Sequence, residues 1–373
     1  MNAPEKAVSI GPFENTSGQT ARQPKIWAPM IVTREQIEAE VERLADEPLP
    51  ANGRRIARIV HPEASDAMGI TPGTDVQIQV LKPGEQTVPR RTNANQLEIC
   101  IRGGGLLETD GGFRVGLHSV STLPPMQSYS HRNDGRDLWV RLTYSNTPLL
   151  SHLRALWEED GEAIGASETE GDGLTDHQRE VYAWQNAPDL QIGDAGARLR
   201  GYEYLTDIPV VGNPPLHWPF EIVSEHLSKT AGDGGRTIML LYHPVTERRA
   251  GTTPTYFATM ARVPANSAPF TGTRGHRHIS ASINYHLTGR GYSVVDGHRL
   301  DWKGGDLLLS APTWSEHAHY HSEEGTTALT VQDHPMHIAL GSLLWQEKMN
   351  GPIFALGSQR GQTGYVSPRT TGE

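Results

Sequence analysis

The sequence predicts a mainly β protein made of two consecutive β regions with few helices, and three observations carry that expectation. Glycine (39) and proline (26) are frequent among the 373 residues, so turns are common and long helices few. Short runs rich in β-branched and aromatic residues alternate with turns over about 72–146 and again over about 236–346. The two regions overlay without a gap at an offset of 186. That offset sets Gly291 on Gly105, Gly289 on Gly103, Asp296-Gly297 on Asp110-Gly111 and His317 on His131. At roughly 100–200 residues per domain, the length suits about two domains.

The elements follow in order. Residues 1–30 are polar and turn-rich and read as an arm. Thr33 with Gln36 forms a capping box ahead of the apolar stripe Ile37, Val41 and Leu44, which gives a short helix to about residue 46, stopped by Pro48 and Pro50. The first strand series includes DVQIQVL, QLEICIR, GLHSVSTL and DLWVRLTY. A helix is expected at 148–159. Residues 158–173 hold seven acids and no base among small residues, as an exposed linker would. Helical structure is expected near 175–186 and at 218–229. The second series then runs through RTIMLLYH, TYFATMARV, ISASINYHL, GYSVVDG, DLLLSAP and TTALTVQD. The implied division is an arm and short helix (1–50), a first β domain (51–157), an acidic linker with helices (158–230) and a second β domain with a tail (231–373).

Composition excludes several classes. A net charge of −10 disfavours nucleic acid or an anionic membrane surface as partner. The one cysteine, Cys100, excludes an internal disulfide framework and a cysteine-rich zinc module. No apolar run near the start resembles a signal peptide, and none reaches the length of a membrane span, so the expectation is a soluble, cytoplasmic protein.

Chemistry concentrates in the second region. Nine of the 17 histidines lie between residues 276 and 337. Neutral imidazole is a ligand for first-row metals, and three converging imidazoles leave positions open for other molecules. His276 and His278 are one residue apart and face the same way on an extended strand. On that alternation Ser280, Ser282, Asn284 and His286 continue one polar face, while Ile279, Ala281, Ile283, Tyr285 and Leu287 take the other. The following turn and strand return His317 to the pair. Taken singly, His286, His298, His321, His334 and His337 read as solvated or structural.

G-x-R-G-H-R-H, the V-V-D-G turn, G-G-D-L-L-L and P-T-W-S-E-H-A-H resemble the two cupin motifs, and most of all those of the gentisate and salicylate 1,2-dioxygenase branch of the bicupins. The resemblance implies a bicupin, two tandem antiparallel jelly-roll β-barrels with short flanking helices, and one Fe(2+) per chain. It matches His276, His278 and His317 to the metal ligands. The glutamate ligand common in metal cupins would fall at Ser282 or Ile283 and is absent, as in the three-histidine branch. His319 and Asp333 match a pair that orients substrate and handles protons. Arg236 falls where the family grips a substrate carboxylate, and Phe257 where a tryptophan or tyrosine is usual. Ala261 stands where glutamine is common, and Asn284 where a second arginine is common. The resemblance further implies a small aromatic carboxylate and O2 as reactants, gentisate or a 5-substituted salicylate, ring opening between the carboxyl- and hydroxyl-bearing carbons, and a homo-oligomer.

In the first region the offset places Arg90 and Thr92 under His276 and His278, and only His131 persists. That barrel is therefore expected to be metal-free, with Arg90 and Arg91 on a solvated surface. The family's usual arrangement has the metal in the first cupin; here the motif sits in the second. Two other readings stay open at this stage. One is a three-histidine cupin with zinc or manganese acting as an isomerase, hydrolase or diketone-cleaving dioxygenase. The other is a cupin that binds a small ligand without catalysis.

Overall fold

The computed structural model describes residues 11–65, 69–109, 111–161, 175–192, 196–205, 212–229, 236–246, 250–267 and 275–357. The two β regions are two antiparallel barrels, a bicupin. The main sheet of the first runs His217–Trp218, Val120–Leu123, Gln96–Arg102, Trp139–Ser145, Asp75–Leu81 and Arg55–Ile59. A smaller sheet of Phe113–Val115, Gly105–Glu108 and Ser130–Arg132 closes it. In the second barrel the order is Met30–Val32, Leu307–Ala311, Ser282–Val295, His317–Gln332, Phe257–Val263 and Thr237–Leu240, with His298–Lys303 paired to the long strand Ser282–Val295.

From Gln96 onward the internal repeat holds at the level of strands. Shifted by 186, Gln96–Arg102 falls on the first half of Ser282–Val295 and Gly105–Glu108 on its second half, while Ser130–Arg132 and Trp139–Ser145 fall on the two ends of His317–Gln332. The repeated glycines have a steric cause. Gly103 and Gly289 both have positive φ (68° and 86°), and a Cβ would lie 2.2 Å from the Leu138 carbonyl oxygen or 2.0 Å from that of Gly325. At Gly105 and Gly291 a Cβ would strike the Trp139 and Trp302 rings. Only glycine lets the strands cross so closely.

One core joins the barrels. Val76, Ile78, Leu142 and Tyr144 of the first pack with Ala258, Met260, Ile283 and Leu329 of the second, and Ile37, Val41 and Leu44 of the helix Arg34–Asp46 complete the cluster. The Thr33–Gln36 capping box forms as expected. The segment before it crosses to the second barrel, where Met30–Val32 pairs with Leu307–Leu309.

Residues 148–159 depart from expectation. The helix covers only Thr147–His152, and Glu158–Asp160 is a strand paired with Arg90–Thr92. Cross-strand charge explains this: Arg90 pairs with Glu158 and Arg91 with Glu159. Neither arginine lies on the solvated surface expected for it, and the acidic stretch begins as sheet. Its remainder at 162–174 lies outside the described residues. The later helices appear as Asp176–Tyr182, a short turn of 3-10 helix at Trp184–Asn186, and Phe220–Lys229. Among the described residues no helix is long and apolar enough to cross a membrane.

Candidate metal centre

His276, His278 and His317 converge with their ligand nitrogens all within 4.8 Å of one another. The backbone brings them together: His276 and His317 exchange N–H···O bonds of 3.3 and 3.0 Å across an antiparallel bridge. His276 and His278 do not lie on the long strand that carries Asn284, as the simple alternation assumed. Arg277–His278 is a separate short strand paired with Leu344–Gln346, and a bend at 279–281 divides it from Ser282–Val295. Polar partners stabilise that bend. The Ala281 N–H donates to Asp333 Oδ1 at 2.8 Å, and the Ser280 carbonyl accepts from His278 Nδ1 at 2.9 Å. Beyond the bend the alternation holds, with Ile283, Tyr285 and Leu287 in the shared core and Ser282, Asn284 and His286 turned to the barrel interior.

The donor set suits a first-row divalent metal. His278 Nδ1 and His317 Nδ1 each face a backbone carbonyl, of Ser280 and Ser315, which fixes the N–H there and leaves Nε2 as the nitrogen that could bind a metal. Burial lowers the pKa of both rings, and for His278 the neighbouring imidazoles add to it, so the neutral, metal-binding form is favoured. Trp345 stacks on His276 (4.8 Å) and His278 (5.2 Å) and holds the two rings in place. Ser280 Oγ links His278 Nδ1 to His334 Nδ1 at 2.9 and 2.6 Å. Arg277, between two ligands, stacks over Trp314 at 4.6 Å and bonds Gln346.

The other sequence-derived residues surround this centre. His319 is two residues beyond His317 with its ring 5.7 Å from that ligand, and its Nδ1 meets Ser293 Oγ at 2.8 Å. Ser293 in turn takes the Trp302 indole N–H at 3.1 Å. Asp333 does not steady His319, as the family pairing implied; it holds the 279–281 bend and faces His337 at 3.8 Å. Arg236 is exposed at the start of Thr237–Leu240, and its charge acts on His319. Phe257 stacks on His334 at 5.6 Å. Ala261, partly buried, pairs with Ile238 and Ala328. Asn284 is buried, donating to Ser310 Oγ and accepting from Thr330 Oγ1, both at 2.7 Å.

Sequence reasoning missed Trp345, Ser293 and Trp302, whose roles depend on pairing between distant strands. It also set His286 aside. That ring is buried, stacks on Trp302 at 3.8 Å and has no hydrogen-bond partner among the described residues on either nitrogen; burial brings its pKa down to about 3.

The matching place in the first barrel holds an ion cluster. His131 Nε2 meets Glu98 Oε2 at 2.8 Å, Thr143 donates to Glu98 Oε1 at 2.9 Å, and Arg141 Nε lies 3.8 Å from the same oxygen. Glu98 is the residue that the offset of 186 sets under Asn284. Burial alone would raise the Glu98 pKa, but His131, Arg141 and Thr143 outweigh it and hold the carboxyl well below the usual carboxylate range.

Comparison with known proteins gives the same architecture. The chain is 21% identical over 345 residues to a 5-aminosalicylate 1,2-dioxygenase of Comamonas sp, covering 88% of this chain and 84% of that protein. It is 29% identical over 122 residues to a 5-nitrosalicylic acid 1,2-dioxygenase of Bradyrhizobium sp, covering 31% of this chain and 59% of that protein. The structure of salicylate 1,2-dioxygenase from Pseudoaminobacter salicylatoxidans with gentisate matches with a TM-score of 0.68 at 17% identity, over 88% of this chain and 87% of that one. A further structure of a salicylate 1,2-dioxygenase from Pseudaminobacter salicylatoxidans matches with a TM-score of 0.67 at 16% identity, over 89% and 91%. No family model matches the chain. The resemblance seen in the sequence motifs thus extends to relatives and folds across most of the chain.

Proposed function

We propose that this chain is a ring-cleaving dioxygenase of the gentisate/salicylate type, dependent on one Fe(2+) held by His276, His278 and His317. The observation that carries the reading is the convergence of three neutral imidazoles beside a barrel interior of neutral polar groups, in a chain similar to salicylate dioxygenases along most of its length. The substrate is gentisate or a 5-substituted salicylate. Its C–C bond between the carboxyl- and hydroxyl-bearing carbons breaks, and both atoms of O2 enter: one makes the first carbon a ketone, the other makes the second a carboxylic acid. A ferrous ion in this donor set supplies the electron relay that lets triplet dioxygen react with a closed-shell ring.

The chain's own residues bind and orient. Asn284, in the place of the family's second arginine, is neutral and already bonded on both sides of its amide, so charge compensation for the carboxylate falls to Arg236. Ser293 Oγ accepts the Trp302 N–H and also bonds His319 Nδ1, which fixes the orientation of a ring that burial keeps neutral. The neutral His319 ring takes the phenolic proton or hydrogen-bonds negative charge that develops beside it. Asp333 positions the His278 bend. Phe257 and Ala261 face the ring and admit its 5-substituent. The first barrel, with its Glu98–His131 pair, is a structural partner that holds no metal. The resemblance supports a homo-oligomer.

The test offers salicylate, gentisate, 5-aminosalicylate and 5-nitrosalicylate in parallel to anaerobically iron-loaded protein, following oxygen uptake and aromatic absorbance. Uptake matched to absorbance loss with at least one substrate is expected. No uptake with any, on protein holding one metal per chain, moves the assignment to a zinc or manganese cupin.

A further inference from the structure

The second barrel lacks the glutamate that commonly completes a cupin metal site, and the strand register shows what stands in its place. Ser282, at the position of that carboxylate, is buried and carries a side chain two carbons shorter than glutamate's. Its Cα partner on the neighbouring strand is Gln332. Cross-strand partners project to the same face, so Gln332 reaches into the space a longer side chain at 282 would fill. Its amide nitrogen lies 3.4 Å from His278 Nε2, the atom that the Ser280 carbonyl leaves as ligand. Two donors at neighbouring positions of an octahedral metal, each with a bond of roughly 2.1 Å, are about 3 Å apart. The Gln332 amide therefore already stands at about a ligand's distance from a ligand nitrogen. A metal on His278 Nε2 would take away that acceptor, and with the amide turned over, Gln332 Oε1 would offer the ion a lone pair.

We propose that Gln332 Oε1 is a fourth, neutral ligand at this centre, supplied from the strand opposite the missing glutamate. This rests on the metal-centre reading above but not on the substrate or on dioxygenase activity. A neutral amide compensates less of the metal's charge than a carboxylate and is displaced more readily. It thus adds a fourth protein ligand at rest while yielding its position to an incoming anionic chelate.

The test is Co(2+) titration of metal-free protein, followed by visible absorption and by competition with a chelator, for wild type, Gln332→Leu and Gln332→Asn. The asparagine variant retains an amide but is one methylene too short to reach the metal. Expected is Co(2+) binding weakened about 10–100-fold in both variants, the range typical for loss of a supporting group at a metal site, with a changed band envelope. The folding of each variant is checked by circular dichroism, and a folded asparagine variant suffices if the leucine one does not fold. Wild-type affinity and spectrum in a folded variant overturn the assignment of Gln332 alone. No Co(2+) binding by the wild type overturns the three-histidine centre itself.

Discussion

Replacing Glu98 with glutamine should destabilise the protein strongly while leaving the distant histidines in place. Glu98 and Arg141 are 5% and 2% exposed, and Glu98 is the carboxylate within ion-pair distance of that guanidinium. At 3.8 Å and an effective dielectric of about 20, their attraction is about 4 kcal/mol. Glutamine keeps an acceptor for one of His131 and Thr143 but strands the Arg141 charge, whose Nε and Nη1 have no hydrogen-bond partner among the described residues. Breaking a buried pair from one side costs about 3–5 kcal/mol. Urea unfolding followed by tryptophan fluorescence measures it, with Trp139 5.3 Å from His131 as a local reporter. The pair Glu98→Gln with Arg141→Met removes both charges while keeping an acceptor at position 98, and should recover most of the loss. The Glu98 pKa is depressed in the fold, so its contribution is present above the unfolded value of about 4.3 and is lost as pH falls below it. A Glu98→Gln protein within about 1 kcal/mol of wild type, or a double variant no better than the single one, would refute this reasoning.

Three further outcomes follow from the second barrel. His276→Ala should lose most bound iron and activity together, read by metal analysis and oxygen uptake on one sample; normal turnover would remove His276 from the ligand set. Arg236→Ala should raise KM about 10–100-fold, the equivalent of about 1.5–3 kcal/mol for a charged hydrogen bond. An unchanged KM would place the carboxylate elsewhere. His286 has a folded pKa of about 3 against about 6.5 unfolded, so the unfolded chain takes up a proton that the fold refuses as pH drops below 6.5. Relative to His286→Phe, wild type should lose about 2 kcal/mol by pH 5 in urea unfolding, and parallel pH profiles would contradict a buried neutral ring.

The repeat, the capping box and the histidine cluster were legible because each is a pattern with a local cause. The glycines at 103 and 289 recur because a Cβ would meet a carbonyl oxygen at both places. His276, His278 and His317 were recognisable from spacing and motif. The residues that sequence reasoning misplaced depend on pairing between distant segments. Arg90 and Arg91 read as surface charge until Glu158 and Glu159 face them across a strand pair. Asp333 was matched to His319 by family position, whereas the fold assigns it to the Ala281 N–H. The bend after His278 was hidden because Ile279–Leu287 alternates regularly on paper, and only Ser280 and Asp333 together provide its partners. Gln332 carried no signal at all, since its importance comes from lying opposite Ser282.

The most direct measurement is the fate of isotopically heavy dioxygen during turnover of the best salicylate by iron-loaded protein, read by mass spectrometry of the ring-opened acid. The account predicts both heavy atoms in one product molecule, one in the new ketone before exchange with water and one in the new carboxylate. A product carrying one heavy atom or none from the outset, or an intact ring, would contradict it.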